Sequence, residues 1–487
     1  MSATLALAGG IVIPVAGALG IVACHRAPNL RETVTLVTAV LLFATVASLL
    51  PGVLAGDRPE LSIVEILPGL ALSFRLEPLG MLFALIASGL WIINSIYSIG
   101  YLRGNDEKHQ TRFYVCFALA IAAAMGIAFA GNAFTLFVFY EMLTLVTYPL
   151  VTHHGTDHAK RGARVYLGVL LSTSILFLLP AIVFTWYLAG TTEFTPGGIL
   201  PEGAGSLALG GLLALYMFGI GKAALMPFHR WLPSAMVAPT PVSALLHAVA
   251  VVKAGVFSVV KVMIYVFGVD QLQLAGTDWL VAVSGFTIVA ASITALNADN
   301  LKRRLAYSTV SQLSYVVLAA ALLAPLSMVA AILHIAAHAL GKITLFFAAG
   351  SIYTAAHKTE VSQLDGIGRR MPWTMAAFAI GALSMIGLPP AAGFVSKWFL
   401  VSGAIAQAHW MALTVIAAST LLNAAYFMPI IYRAFFRPLS ANDEAHPHGE
   451  SPLPMVVALT LTALGTIALF FFPDVPLALA GAALGGI

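Results

Sequence analysis

Charge is what this sequence has least of. Only 9% of its 487 residues are Asp, Glu, Lys or Arg, while 60% are hydrophobic. A soluble globular domain carries roughly 25% charged residues, so that class is excluded; the apolar surface must face lipid. Cysteine is nearly absent. Cys24 and Cys116 lie in or beside apolar stretches, which gives neither a disulfide framework nor a thiolate metal motif. There is no Gly-rich phosphate loop, nucleophile motif or haem-binding spacing, so no covalent chemistry, cofactor or bound metal is expected. A net charge of +4 without a basic tract gives no reason to expect a nucleic-acid partner. The first ten residues lack a basic leader region, and the first apolar stretch reads as a retained helix.

What is present is apolar runs separated by short polar turns. They predict spans at 3–24, 31–51, 78–101, 112–130, 132–152, 164–188, 207–235, 240–266, 277–297, 303–323, 326–354, 373–403, 409–432 and 454–472. Each is about the ~20 residues that cross a bilayer. The fold class is therefore an all-α polytopic membrane protein with about fourteen transmembrane helices. In the long early loop, Leu61-Ser-Ile-Val and Ala71-Leu-Ser-Phe-Arg flank Pro68-Gly69 and suggest a short β-hairpin. No soluble domain or linker interrupts the chain.

Loop charge tests the count. Alternate loops hold 17 of the 24 Lys and Arg residues, and the other set holds only Arg58 and Arg75. Basic residues concentrate in cytoplasmic loops, so both termini are expected outside the cytoplasm. The remaining five are lysines inside apolar spans: Lys222, Lys253, Lys261, Lys342 and Lys397. Glu141 is the one acidic residue deep in a span, and His247, His334 and His338 join the set.

Such groups cost about 2.5–3.5 kcal/mol at a helix centre and persist where they face a bundle interior or a hydrated path. Lys261, near the outer end of its span, is expected to snorkel to the interface. Lys397 follows Gly387-Leu-Pro-Pro-Ala-Ala-Gly-Phe, which cannot stay helical. Lys222 precedes a second break, Met226-Pro-Phe-His-Arg-Trp-Leu-Pro233, by about one turn. One interrupted helix in each half is the pattern of inverted repeats in transporters. Glu141 and a lysine would form a switchable pair: together they keep the lysine charged, and apart a desolvated lysine releases its proton readily. His334, His338 and Lys342 are spaced i, i+4, i+8 and stack on one helix face, a polar file suited to passing protons. His247 and Lys253, six apart, border one cavity from different sides if they share one at all. His153, His154 and His158, like His446 and His448, read as solvated loop residues, without the thiolate or carboxylate frame of a metal site.

These residues carry a resemblance. The run Phe228-His-Arg-Trp-Leu-Pro-Ser-Ala-Met-Val-Ala-Pro-Thr-Pro-Val-Ser-Ala-Leu-Leu-His247 resembles the signature of the antiporter-like subunits. So do Tyr140-Glu-Met, Asn300 through Gln312, His334 through Lys342, and Gly387 through Lys397. That family comprises proton-pumping membrane subunits of complex I, large subunits of Mrp-type Na+/H+ antiporters, and relatives in membrane-bound hydrogenases. The resemblance implies two inverted five-helix repeats, each with one broken helix, at 112–266 and 277–432. Residues 1–101 would precede them and 454–487 would follow. It also implies that Glu141 and Lys222 are the paired fifth- and seventh-helix residues of a first half-channel. Lys253 or His247 would serve on the eighth helix, His334, His338 and Lys342 as the connecting axis, and Lys397 as the terminal residue.

Lysine at 397, and a chain ending about fifteen residues after its last span, are similar to the D subunit of Mrp antiporters. The expected function is proton translocation within a multisubunit Na+(K+)/H+ antiporter of a bacterial inner membrane, with other membrane subunits as partners. A complex I or hydrogenase subunit, or the membrane partner of an inorganic-carbon uptake system, shares the core motifs. A non-conducting scaffold and a stand-alone transporter for an organic solute are rivals of other classes.

Overall fold

The computed structural model describes residues 2–67, 70–439 and 448–485, without the side chains of Leu67, Leu246 and His247. Pro68-Gly69, His446 and the His247 side chain, each given a reading above, lie outside that description. Helix occupies every one of the fourteen expected stretches. In chain order these are α1 (Ala3–Ala23), α2 (Pro28–Ala47), α3 (Pro78–Gly104), α4 (Gln110–Ala128), α5 (Ala133–Val151), α6 (Asp157–Ala189), α7 (Ser206–Gly219), α8 (Val251–Ala275), α9 (Asp278–Asn297), α10 (Leu301–Ala321) and α11 (Pro325–Ala356). There follow α12 (Pro372–Ile386), α13 (Ala392–Ala406), α14 (Trp410–Phe436), α15 (Leu453–Phe471) and a short α16 (Asp474–Ala483). Among the described residues, eleven helices are long and apolar enough to cross a membrane. The protein is a multi-pass membrane protein.

Local chemistry sets the helix ends. Asn132, Thr156 and Asn300 each accept a backbone N–H through the side chain at the starts of α5, α6 and α10, the usual N-cap arrangement. Proline opens α2, α3, α11, α12 and α15, where its missing N–H costs nothing. The expected hairpin is present, as β1 (Glu60–Leu67) antiparallel to β2 (Leu70–Arg75).

The helices form two shells. The mid-chain helices α8, α10 and α11 are buried on nearly every side, and the polar groups they carry are therefore enclosed by protein. The outer helices α1, α2, α6 and α15 turn residues such as Leu19, Leu41, Tyr187 and Leu453 outward, where lipid replaces a protein partner. Two expected spans are broken. The stretch after α7 passes through a 3-10 turn at Gly221–Ala223 and a short helix at Trp231–Ser234, and α12 is separated from α13 by residues 387–391. Each break carries a cis X–Pro peptide, at Met226–Pro227 and Pro389–Pro390.

Candidate functional site

The first break presents Lys222. Its 3-10 turn is closed by Ala224, which adopts a left-handed φ of 55°, and is tied down by Trp231 Nε1 donating to the Gly221 carbonyl at 2.9 Å. Lys222 is wholly buried. Its Nζ donates to the Tyr140 carbonyl at 2.7 Å and the Thr144 hydroxyl at 2.6 Å, and sits 3.1 Å from the centroid of the Tyr140 ring. The Tyr140 hydroxyl in turn accepts the Lys222 backbone N–H at 2.9 Å. Tyr140 thus holds the lysine with its ring, its hydroxyl and its carbonyl. The neighbouring Glu141 makes no ion pair with Lys222; both its carboxylate oxygens are buried without a hydrogen-bond partner among the described residues. The expected pair is therefore apart in this structure.

Just before α8, residues Leu245–Val249 form a π-turn, a local widening that often marks functional sites. Beyond it, Lys253 Nζ lies 2.5 Å from His338 Nδ1. The His338 and His334 rings are 6.1 Å apart on one face of α11, as the spacing predicted. His334 Nδ1 is 2.8 Å from the Ser396 hydroxyl, and its Nε2 is 3.1 Å from the Gln312 amide oxygen. One helix turn beyond His338, on the side away from His334, Lys342 Nζ donates to the Ser308 hydroxyl at 2.8 Å.

The second break binds Lys397. In a continuous helix, the carbonyls of Met385 and Ile386 would accept N–H groups from residues 389 and 390. Both positions are proline and have no N–H to give. Lys397 Nζ occupies the two orphaned carbonyls, at 3.0 Å from Met385 and 2.9 Å from Ile386. Gly387, at a φ of 90°, ends α12 there; in that conformation a side chain would be strained.

The Met385 carbonyl also accepts from Gln312 Nε2 at 3.4 Å and from Asn423 Nδ2 at 3.3 Å. Two chains therefore meet at one atom. One runs from His334 through Gln312; the other runs from Lys342 through Ser308, Tyr426 and Asn423. His334, Lys342 and Lys397 are brought into one hydrogen-bonded system, and the Lys253–His338 pair stands beside it, with the His338 ring 6.1 Å from that of His334. Lys222 and Glu141 are not joined to it by a hydrogen bond among the described residues. Their connection is backbone packing: Gly255 of α8 lies against the Lys222–Ala223 peptide so closely that a Cβ would collide with it.

Several groups escaped sequence reasoning. Tyr140, Thr144, Ser308, Gln312, Tyr426 and Asn423 are neutral, and helices carry many such residues. Lys261 does not snorkel. It is wholly buried, pairs with Glu77 at 3.1 Å and donates to the Ala130 carbonyl at 2.7 Å; Glu77, at the start of α3, is another buried carboxylate, as is Glu32 in α2. His153 is buried against Glu107 and is not solvated. Among the described residues, no cluster of three His, Cys, Asp or Glu could hold a metal.

Comparison with known proteins gives the same region. The family profile for NADH:quinone oxidoreductase/Mrp antiporter transmembrane proteins matches residues 130–423, a stretch that runs from before Glu141 to beyond Lys397. NADH-quinone oxidoreductase subunit N of Desulforudis audaxviator is 32% identical over 425 residues, covering 84% of this chain and 83% of that protein. A Na(+)/H(+) antiporter subunit of Bacillus subtilis is 30% identical over 474 residues; the match covers 90% of this chain but 57% of that longer protein. A chain in the structure of the Mrp complex from Dietzia sp. DQ12-45-1b has the same fold, with a TM-score of 0.87 over 99% of this chain and 97% of that one at 22% identity.

Proposed function

The chain belongs to the NADH:quinone oxidoreductase/Mrp antiporter transmembrane family, and on that footing we propose that it carries protons across a membrane as one subunit of a larger membrane assembly. The observation that carries this reading is the hydrogen-bonded system joining His334, Lys342 and Lys397 through the Met385 carbonyl. Protons reach Lys222, cross to Lys253 and His338, pass along His334 and Lys342, and leave by Lys397. Chains of polar groups in a low-dielectric interior polarise one another, and waters between them complete the steps that side chains do not span.

Glu141 sets the direction. Away from it, the Lys222 ammonium is held by a carbonyl, a hydroxyl and a ring face. Neutral dipoles compensate a buried charge less well than a carboxylate does, so separation favours passing the proton on and approach favours taking one up.

Within the family, we assign the chain to an Mrp-type Na+(K+)/H+ antiporter as a D-like subunit, on the lysine at position 397. The core has few oxygen ligands for a metal cation, so the cation path belongs to a partner subunit. The match over most of subunit N favours a quinone-linked respiratory assembly as the second reading. We place the protein in a bacterial inner membrane with its termini outside the cytoplasm, on loop charge. Residues 112–266 and 277–432 form the two proton-carrying repeats between an N-terminal (1–101) and a C-terminal (454–487) part.

The test is Glu141→Gln and Lys222→Ala in membrane vesicles holding the whole assembly, with proton flux followed by a pH-sensitive dye and assembly followed by co-purification. We expect flux to fall about a hundredfold or more, the contribution of a positioned proton-transfer group, with assembly intact. Normal flux in both variants sinks the relay; lost assembly with normal flux per surviving complex favours a scaffold.

A further inference from the structure

On the face that carries the basic loops, a cleft of about 620 Å³ opens between α6, the segment following the first break, and α10. Arg161, Arg230 and Arg303 line it, one from each of those elements, and Val165 and Met236 give it an apolar wall. Arginine excess on this face is expected from topology alone, but topology does not bring three guanidinium groups from separate elements into one cleft. Nor does it leave them without counter-charge. Elsewhere on the same face Arg103 pairs with Glu32, and Arg433 and Arg437 pair with Asp365. Among the described residues, none of the three cleft arginines makes an ion pair, and no carboxylate lines the cleft.

We propose that this cleft binds the phosphate headgroup of an anionic phospholipid. Guanidinium groups match phosphate oxygens in a bidentate geometry, and basic pockets between transmembrane helices are suited to such headgroups. The apolar wall chooses between sources of phosphate. Val165 is exposed on α6 where it lines the cleft, so an acyl chain continues along it where a free anion would leave it bare. The site also bears on the machinery. The segment after the break is pinned by Lys302 Nζ donating to the Ala238 carbonyl at 2.6 Å, and Gly162 of α6 packs directly against the Ser234 carbonyl. A headgroup spanning the three arginines clamps that segment from the open side, and so steadies the turn that presents Lys222. The lipid site itself stands independently of the proton relay.

The experiment is native mass spectrometry of the complete protein, with whatever subunits accompany it in mild detergent, titrated with phosphatidylglycerol. Phosphatidylcholine and inorganic phosphate are the comparison arms. Wild type retains phosphatidylglycerol in preference to both. The Arg161→Gln/Arg230→Gln/Arg303→Gln variant binds it on the order of a hundredfold more weakly, at the per-charge value for anionic lipid. A control that removes the same charge outside the cleft, Lys160→Gln/Arg164→Gln/Arg369→Gln, weakens binding less than the cleft variant does, because those groups do not line the site. Should the triple variant not fold, Arg230→Gln alone is expected to weaken binding about fivefold. Equal losses in cleft and control variants overturn the site, and displacement of the lipid by millimolar inorganic phosphate overturns the choice of a lipid.

Discussion

At Pro389 and Pro390 the backbone has no hydrogen to offer, and two carbonyls turn to an ammonium group instead. Pro389→Ala restores the donor that the Met385 carbonyl would have in a continuous helix. Proton flux should fall several-fold while the melting temperature of the purified assembly holds or rises, because a competing helical hydrogen bond is worth roughly 1 kcal/mol. Unchanged flux would remove the orphaned carbonyl from the mechanism. At this scale the sequence speaks clearly for charge and faintly for everything else. Lys222, Lys253, Lys342 and Lys397 declare themselves because lipid rejects them. Tyr140 does not, since a tyrosine in an apolar span is unremarkable until its carbonyl, hydroxyl and ring all converge on one lysine. A backbone carbonyl has no letter in the sequence at all; only the prolines four residues on betray it.

Between elements, contact distance replaces residue identity. Gly255 lets α8 touch the peptide backbone of the Lys222 turn. Gly255→Val should cost about 1–3 kcal/mol, as overpacking does, and lower both melting temperature and flux; a variant as stable and active as wild type would show that the turn has room to move. The loop between α3 and α4 docks on the loop after α5 through Glu107, His153 and His154. Burial alone would raise the Glu107 carboxyl, but its contacts with the two histidines outweigh that and hold it down at about 2. The carboxylate in turn raises His154. Glu107 stabilises docking above its unfolded value near 4.3 and loses that contribution as pH falls toward 2. His154 contributes fully below about 6.5 and less as pH rises through its raised value. Amide exchange in residues 152–156, corrected for intrinsic rate, should be slowest between about pH 4.3 and 6.5; protection that rises steadily to pH 9 contradicts this. The span boundaries were legible here because apolar runs end at capping residues and prolines, and the breaks were legible from clustered proline and glycine. The docking of loops was not, because its partners are distant in sequence.

At the scale of the whole molecule, a buried ion pair bridges helices far apart in the sequence. Glu77 and Lys261 tie the start of α3 to α8. Glu77→Gln leaves a buried cation without its partner and should cost about 3–5 kcal/mol, whereas Glu77→Gln with Lys261→Met should recover most of that. Detergent melting curves and membrane abundance measure both, and a double variant no better than the single one refutes the pairing argument. The multi-pass helical architecture could be read from composition and loop charge. The meeting of α10, α12, α13 and α14 around one oxygen could not, because nothing in a linear pattern says that four distant segments share a neighbour. That oxygen has two lone pairs and three suitors, Lys397, Gln312 and Asn423. It works as an arbiter: whatever tightens the hold of one loosens that of the other two, and the exchange is reciprocal. In the proposed relay, a change in how Lys397 is held would therefore be felt at His334 and Lys342 with no helix having to slide.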